Sequence, residues 1–217
     1  MANEREQAKR ARGRPRAYDV DEALTRARDT FWQSGYGATT LDELSAATGM
    51  NRPSLYGAFG DKHALYLATL RRYVDVNVVA MNEALSDDRP IKDALMHLYD
   101  LALGLYCRPG SVPKGCFLIG TAAVEAVNDE AVRTILGQGL QAFDRAFEAR
   151  FERAQRSGEI DANADPAALA RIASAILHTL AVRSRAGDKR AALRATAESG
   201  VALICAAGPA GAATGIE

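Results

Sequence analysis

The chain is poor in the residues that mark most specialised classes. It has three cysteines and one tryptophan in 217 residues, and aromatics make up only 6%. Cys107, Cys116 and Cys205 are scattered, odd in number and without metal-ligand spacing, so neither a disulfide framework nor a metal site is expected. The opening residues are polar and basic rather than a secretory leader, which together with the cysteines predicts a cytoplasmic setting. The longest apolar stretches, such as 115–127, fall short of a membrane span, so no membrane partner is expected. His63, His97 and His178 fall on three different predicted helices. There is no nucleotide-binding glycine fingerprint and no nucleophile elbow, so catalytic residues and a cofactor are not expected either. Net charge is also missing, with 27 basic residues against 27 acidic. The balance hides a local excess: Arg5, Lys9, Arg10, Arg12, Arg14 and Arg16 face only Glu4 and Glu6, a basic arm of the kind that meets nucleic acid.

What the chain has in quantity is alanine and leucine at helical spacing. Val20, Leu24, Ala27 and Phe31 form a first amphipathic stripe, ended by Gly35 and Gly37. Thr40 and Glu43 have the spacing of a capping box for a short second helix that Gly49 stops. Asn51 can cap a third helix with Pro53 in its first turn, where a missing N–H costs nothing. Asp61 can cap a longer fourth helix carrying Leu67, Leu70, Val74, Met81 and Leu85. A fifth carries Ile91, Leu95, Leu98, Ala102 and Leu105. Residues 116–127 are apolar nearly all round and read as a buried helix. A long seventh helix runs from Val132 to Ala154, Asp165-Pro166 starts an eighth, and Leu193, Val201 and Ile204 mark a ninth. The expected fold is all-α. It divides into an arm (1–17), a three-helix DNA-binding domain (18–62), a larger helical effector-binding and dimerisation domain (63–206) and a disordered tail (207–217).

Residues 39–62 are the informative stretch. A short capped helix, a glycine turn and a second short helix make a helix-turn-helix, whose second helix presents its first residues to the major groove. Arg52 has the forked donors to read guanine, and Pro53 or Ser54 can touch a thymine methyl or a base edge. Thr40, Tyr56 and Lys62 are suited to phosphates. An ordinary helical hairpin with a solvated polar face would give the same periodicity.

Three segments carry a resemblance: Thr39-Thr40-Leu41-Asp42-Glu43-Leu44, Gly49-Met50-Asn51-Arg52-Pro53-Ser54-Leu55-Tyr56 and Phe59-Gly60-Asp61-Lys62-His63-Ala64-Leu65. They look like the DNA-binding region of the TetR/AcrR repressors, over about the first third of the chain. The resemblance implies an all-helical homodimer on double-stranded operator DNA, with a small-molecule effector in the C-terminal domain changing the separation of two reading heads. Family positions that meet DNA correspond to Thr40, Arg52, Pro53, Ser54, Tyr56 and Lys62. Pro53 replaces a glycine common in many members, so base preference does not carry over. Arg12-Gly13-Arg14-Pro15 resembles the core of an AT-hook, implying minor-groove contact by Arg12 and Arg14.

Beyond residue 70 the reading rests on apolar faces. The effector is expected near Tyr99, Leu103, Phe117, Phe143 and Phe147, with Cys116 and His178 as further candidates. Cys116, near a helix start and Lys114, opens a rival reading as a thiol-based redox or electrophile sensor, against the plainer one of a small buried hydrophobe. Helices eight and nine are expected to form the dimer seam through Ile172, Ile176, Leu180, Val201 and Ile204. An architectural DNA binder without effector and a helical enzyme are weaker rivals. The long C-terminal region argues against the first, and the lack of convergent polar groups against the second.

Overall fold

Each early helix begins where a side chain satisfies otherwise free amides. In the computed structural model, which describes residues 19–108, 110 and 112–206, Asp19 caps α1 (Val20–Ala38) by accepting from the amides of Asp21 and Glu22. α2 (Leu41–Thr48) starts with a complete capping box: the Thr40 amide donates to Glu43 at 2.7 Å, and the Glu43 amide donates back to the Thr40 hydroxyl at 3.2 Å. Gly49, at φ 71°, ends α2 in the left-handed region that a residue with a Cβ resists. Asn51 then caps α3 (Arg52–Phe59) through the Ser54 amide, and Asp61 caps α4 (Lys62–Ser86) through the Ala64 amide. The expectations for the basic arm, Arg12 and Arg14 included, and for the tail lie outside the described residues.

α1 buries Ala23, Ala27, Phe31 and Trp32, so its inward stripe is turned slightly from the expected one: Val20 and Leu24 are only half-buried. α5 (Ile91–Tyr106), α7 (Glu130–Arg156), α8 (Pro166–Arg185) and α9 (Arg190–Ala206) follow as expected, and the described residues contain no strand. Segment 116–127 departs from expectation. It forms a π-helical turn (Leu118–Ala122) and a single helical turn, α6 (Ala123–Glu125). Phe117, Leu118 and Ala122 are buried, whereas Val124 and Val127 are 71% and 70% exposed. The wider turn shifts Ala123, Val124 and Val127 off the core-facing side, leaving Ala126 as the buried residue beyond Ala122.

The core runs unbroken from the head into the larger helical layer. Trp32 donates its indole N–H to the Lys114 carbonyl at 2.9 Å, and the Tyr66 hydroxyl donates to Thr121 at 3.1 Å. Phe117 stands in an aromatic cluster with Trp32 at 5.8 Å and Tyr73 at 5.5 Å between ring centroids. Arg72 on α4 pairs with Asp21 on α1. These contacts bind the first half of α4 to α1 by charge and aromatic packing, and tie both helices to the segment 114–121 by hydrogen bonds.

α8 and α9 correct the expected dimer seam. Leu180, Val201 and Ile204 are fully or almost fully buried inside the protomer, because α8 and α9 pack on each other and on α5 and α7. The large apolar side chains these helices leave exposed are Ile172, Val182 and Leu203.

Candidate nucleic-acid interface and effector cavity

The first turn of α3 and the N-terminus of α2 lie open on one face of the head. Thr40, Arg52, Pro53 and Tyr56 are exposed and Ser54 is half-exposed, while Leu55 is buried beneath them. The +4 and +3 spacing that sends Leu55 inward necessarily sends its neighbours outward. Arg52 is not free, as a lone reading residue would be. Its Nε and Nη2 donate to one oxygen of Asp42 at 3.1 and 2.7 Å, across the turn from α3 to α2. That pairing raises the guanidinium pKa still further, mainly through the hydrogen bond to Asp42, so the charge is permanent. Both hydrogens on Nη1 and one on Nη2 remain available, enough for a two-pronged contact with a base edge. The Lys62 ammonium lies over the Tyr36 ring at 4.6 Å, a cation–π contact that positions the charge while its N–H groups can still meet a phosphate.

His63 lies in the first turn of α4, where spacing alone would leave it solvated. It instead pairs with Asp129, Nε2 to Oδ2 at 2.6 Å, and Asp129 is the N-cap of α7. The fold brings together residues 66 positions apart, which sequence spacing has no means of showing. The Asp129 carboxyl is held below its ordinary range, first by the Val132 amide and then by His63.

A cavity of about 230 Å³ lies between α4, α5, α7 and α8. Tyr73, Asn77 and Met81 line it from α4, and Leu98, Leu105 and Tyr106 from α5. Cys116, Phe143, Leu177 and Ala102 form further wall, and the exposed Ala80 and Leu101 stand where the hollow opens to solvent. Of the effector candidates, Cys116 and Phe143 are therefore wall residues. Tyr99, Leu103, Phe117 and Phe147 are not: each is fully buried, and Tyr99 donates to the Ala173 carbonyl at 3.0 Å. Large apolar side chains fill space as readily as they line it, so their presence did not locate the void. His178 also lies off the cavity wall. Its Nε2 is buried without a partner among the described residues, and burial lowers its pKa, with Asp144 opposing, which keeps the ring neutral near pH 7. Among the lining residues that the effector candidates missed are Tyr73, Asn77, Met81, Tyr106 and Leu177. Asn77 was the available signal, a polar residue one turn beyond Tyr73 and one turn before Met81 on the same face.

Cys116 is buried, and its Sγ accepts from the Tyr73 hydroxyl at 3.4 Å. Burial pushes its pKa up, with Tyr73 only partly offsetting this, so the group is a thiol at neutral pH. It also reaches a second hollow of about 350 Å³ beside Lys114, Gly120 and Arg185.

A two-helix reading head with a charged, exposed first turn, set on a larger helical layer with an apolar hollow between its helices, defines a DNA-binding regulator of the helix-turn-helix class. Comparison with known proteins gives the family. Residues 23–69 match the family described as bacterial regulatory proteins, tetR family, and residues 92–199 match the tetracyclin repressor-like C-terminal domain. The chain is 32% identical to the HTH-type transcriptional repressor ComR of Escherichia coli K12, over 82% of this chain and 85% of that protein. It is 34% identical to the repressor BdcR of the same organism, over 51% of this chain and 55% of BdcR. A solved structure of the TetR family regulator CifR, a cysteine mutant complexed with 26-bp operator DNA, is 30% identical, with a TM-score of 0.79. The match covers 87% of this chain and 98% of that one. The chain belongs to the TetR family of transcriptional regulators. Among the described residues no helix is long and apolar enough to cross a membrane.

Proposed function

We propose that the protein is a homodimeric repressor that grips double-stranded operator DNA with α3 and releases it when a small molecule fills the α4–α5 cavity. Tyr73 carries this reading. It lines the cavity, its hydroxyl donates to Cys116 of the same wall, and its ring packs edge-on against Trp32 of α1 at 5.5 Å. A ligand that displaces Tyr73 pushes directly on the helix that supports the reading head. Lys62 and His63, in the first turn of the same α4, lie at the junction with the head. The similar CifR fold, solved on an operator duplex, supports the DNA-bound state. Exposed Ile172, Val182 and Leu203 give α8 and α9 an apolar face suited to a two-fold partner. A 100-fold loss of operator affinity requires about 2.7 kcal/mol of differential ligand binding between the two states.

The test uses a duplex selected from a randomised library by the full-length protein. Light scattering should give a dimer, and the selected sites should be two-fold symmetric with half-sites about one helical turn, or a multiple, apart. Tyr73→Leu should still bind that duplex but lose its response to any cavity ligand. A monomer on an unsymmetrical half-site, or an undiminished response in the variant, would refute the reading.

The second reading, a thiol sensor at Cys116, draws on the place of that residue at both hollows. Its raised pKa opposes it, because the thiolate is the reactive form. Cys116→Ser separates the two: loss of response to oxidants or electrophiles with unchanged response to other ligands would favour the sensor.

A further inference from the structure

The cavity also says what kind of molecule fits it. None of its lining residues carries a charge, and most are aliphatic or aromatic. Apart from Asn77, whose Nδ2 donates to the Tyr73 carbonyl, its polar groups gather where the Tyr73 hydroxyl donates to the Cys116 thiol. Tyr106 joins them: it is buried, lines the cavity, and its hydroxyl has no hydrogen-bond partner among the described residues. That O–H is free to donate into the cavity, so an occupant with an acceptor there gains a hydrogen bond that a plain hydrocarbon cannot make. Burial raises the Tyr73 and Tyr106 hydroxyls well above their ordinary pKa, so both keep their protons. A carboxylate or ammonium group brought here would lose its hydration with no opposite charge to replace it. The size is set as well, since an apolar cavity of about 150 Å³ holds benzene and this one is about half as large again.

We propose that this cavity binds an uncharged, one-ring-sized organic molecule bearing a single hydrogen-bond-accepting oxygen, such as an aromatic ketone or aldehyde, with Tyr106 as the donor. The assignment rests on the reading of the cavity as the effector site. The apolar body of the ligand lies against Met81, Leu98, Phe143 and Leu177, and its oxygen points at the tyrosine pair. Tyr106 becomes the residue that selects oxygenated over plain hydrocarbon ligands.

Three probes of similar shape test this by calorimetric titration of the full-length protein: acetophenone, ethylbenzene and benzoate. Acetophenone should bind about three- to tenfold more tightly than ethylbenzene, the worth of one net hydrogen bond. Benzoate should bind at least about a hundredfold more weakly than acetophenone, because its charge is stripped of water. Tyr106→Phe keeps the ring in place and should reduce acetophenone to the affinity of ethylbenzene while leaving ethylbenzene unchanged. Ala102→Phe fills the cavity and should abolish both. Equal binding of acetophenone and ethylbenzene, preference for benzoate, an unaltered Tyr106→Phe profile, or no binding of any probe would overturn the proposal. Acetophenone that binds as expected but leaves the selected duplex bound would sink release by the cavity ligand, not the chemistry of the site.

Discussion

Replacing Asp42 with alanine should raise affinity for DNA in general while blunting the choice of base. The carboxylate holds the Arg52 guanidinium by two hydrogen bonds to one oxygen, which fixes the plane of the fork and leaves its outer edge for a guanine. The pair is open to solvent, with side-chain exposures of 54% and 77%, so it adds little to folding and the melting temperature should move by less than about 2 °C. On the duplex its two effects have opposite signs. Removing a negative charge from the face that meets phosphates should tighten binding to random sequence, by about two- to fivefold at low salt, and the gain should fade as salt screens it. Releasing the guanidinium should cost on the order of tenfold in preference for guanine at two symmetric positions, whereas Arg52→Ala should remove that preference altogether. The assay is sequencing of duplexes retained from a randomised pool, with affinities for the best and the scrambled site measured across salt concentrations. The double variant should discriminate no worse than Arg52→Ala alone, since both changes act on one contact. Full guanine preference in Asp42→Ala, alongside its loss in Arg52→Ala, would refute the idea that the carboxylate positions the arginine. No guanine preference to lose in the parent would refute base reading by Arg52 itself.

Lys62→Ala should weaken binding to all sequences alike and lower the slope of log affinity against log salt by about 1, visible in a simple salt titration. Gly139→Ala should destabilise the fold: a Cβ there would meet Leu118 Cδ2 at 2.7 Å and Val74 Cγ2 at 2.9 Å, where α7 crosses α4, and overpacking of this kind costs about 1–3 kcal/mol. A melting curve unchanged from the parent would mean that both neighbours yield freely. The alkaline limb of stability should lie between pH 10 and 12, because burial pushes Tyr66 up from its ordinary 10.0 to about 12 and raises Tyr73 and Tyr106 further. A raised folded pKa means the stabilisation is complete below pH 10 and is lost as pH climbs toward the folded value. Phenolate absorbance that already accounts for Tyr66, Tyr73 and Tyr106, judged against variants with each changed to Phe, before circular dichroism changes would contradict the assignment.

The reading head was legible in the sequence because its determinants are local. A Thr40–Glu43 capping box, an Asn51 cap before Pro53 and an Asp61 cap act over about one turn of chain, and a glycine stops a helix by its own backbone freedom. Residue types at those spacings therefore fixed α2, α3 and the start of α4, and with them the outward set from Arg52 to Tyr56. The same locality gave the long C-terminal helices and the Asp165-Pro166 start of α8. Tertiary structure decided everything that depends on a difference between packed faces. Tyr99 and Tyr106 sit seven residues apart on one helix and both are buried, yet one bonds a carbonyl in solid core and the other lines a void. The void is what remains after α4, α5, α7 and α8 have met, so no single segment encodes it. The same holds for Leu180, Val201 and Ile204, whose apolar stripes were correct but whose partner proved to be the same protomer. His63 with Asp129, and Arg52 with Asp42, are likewise pairings of side chains that each look solvated in the sequence, joined only because the helices bearing them are brought side by side.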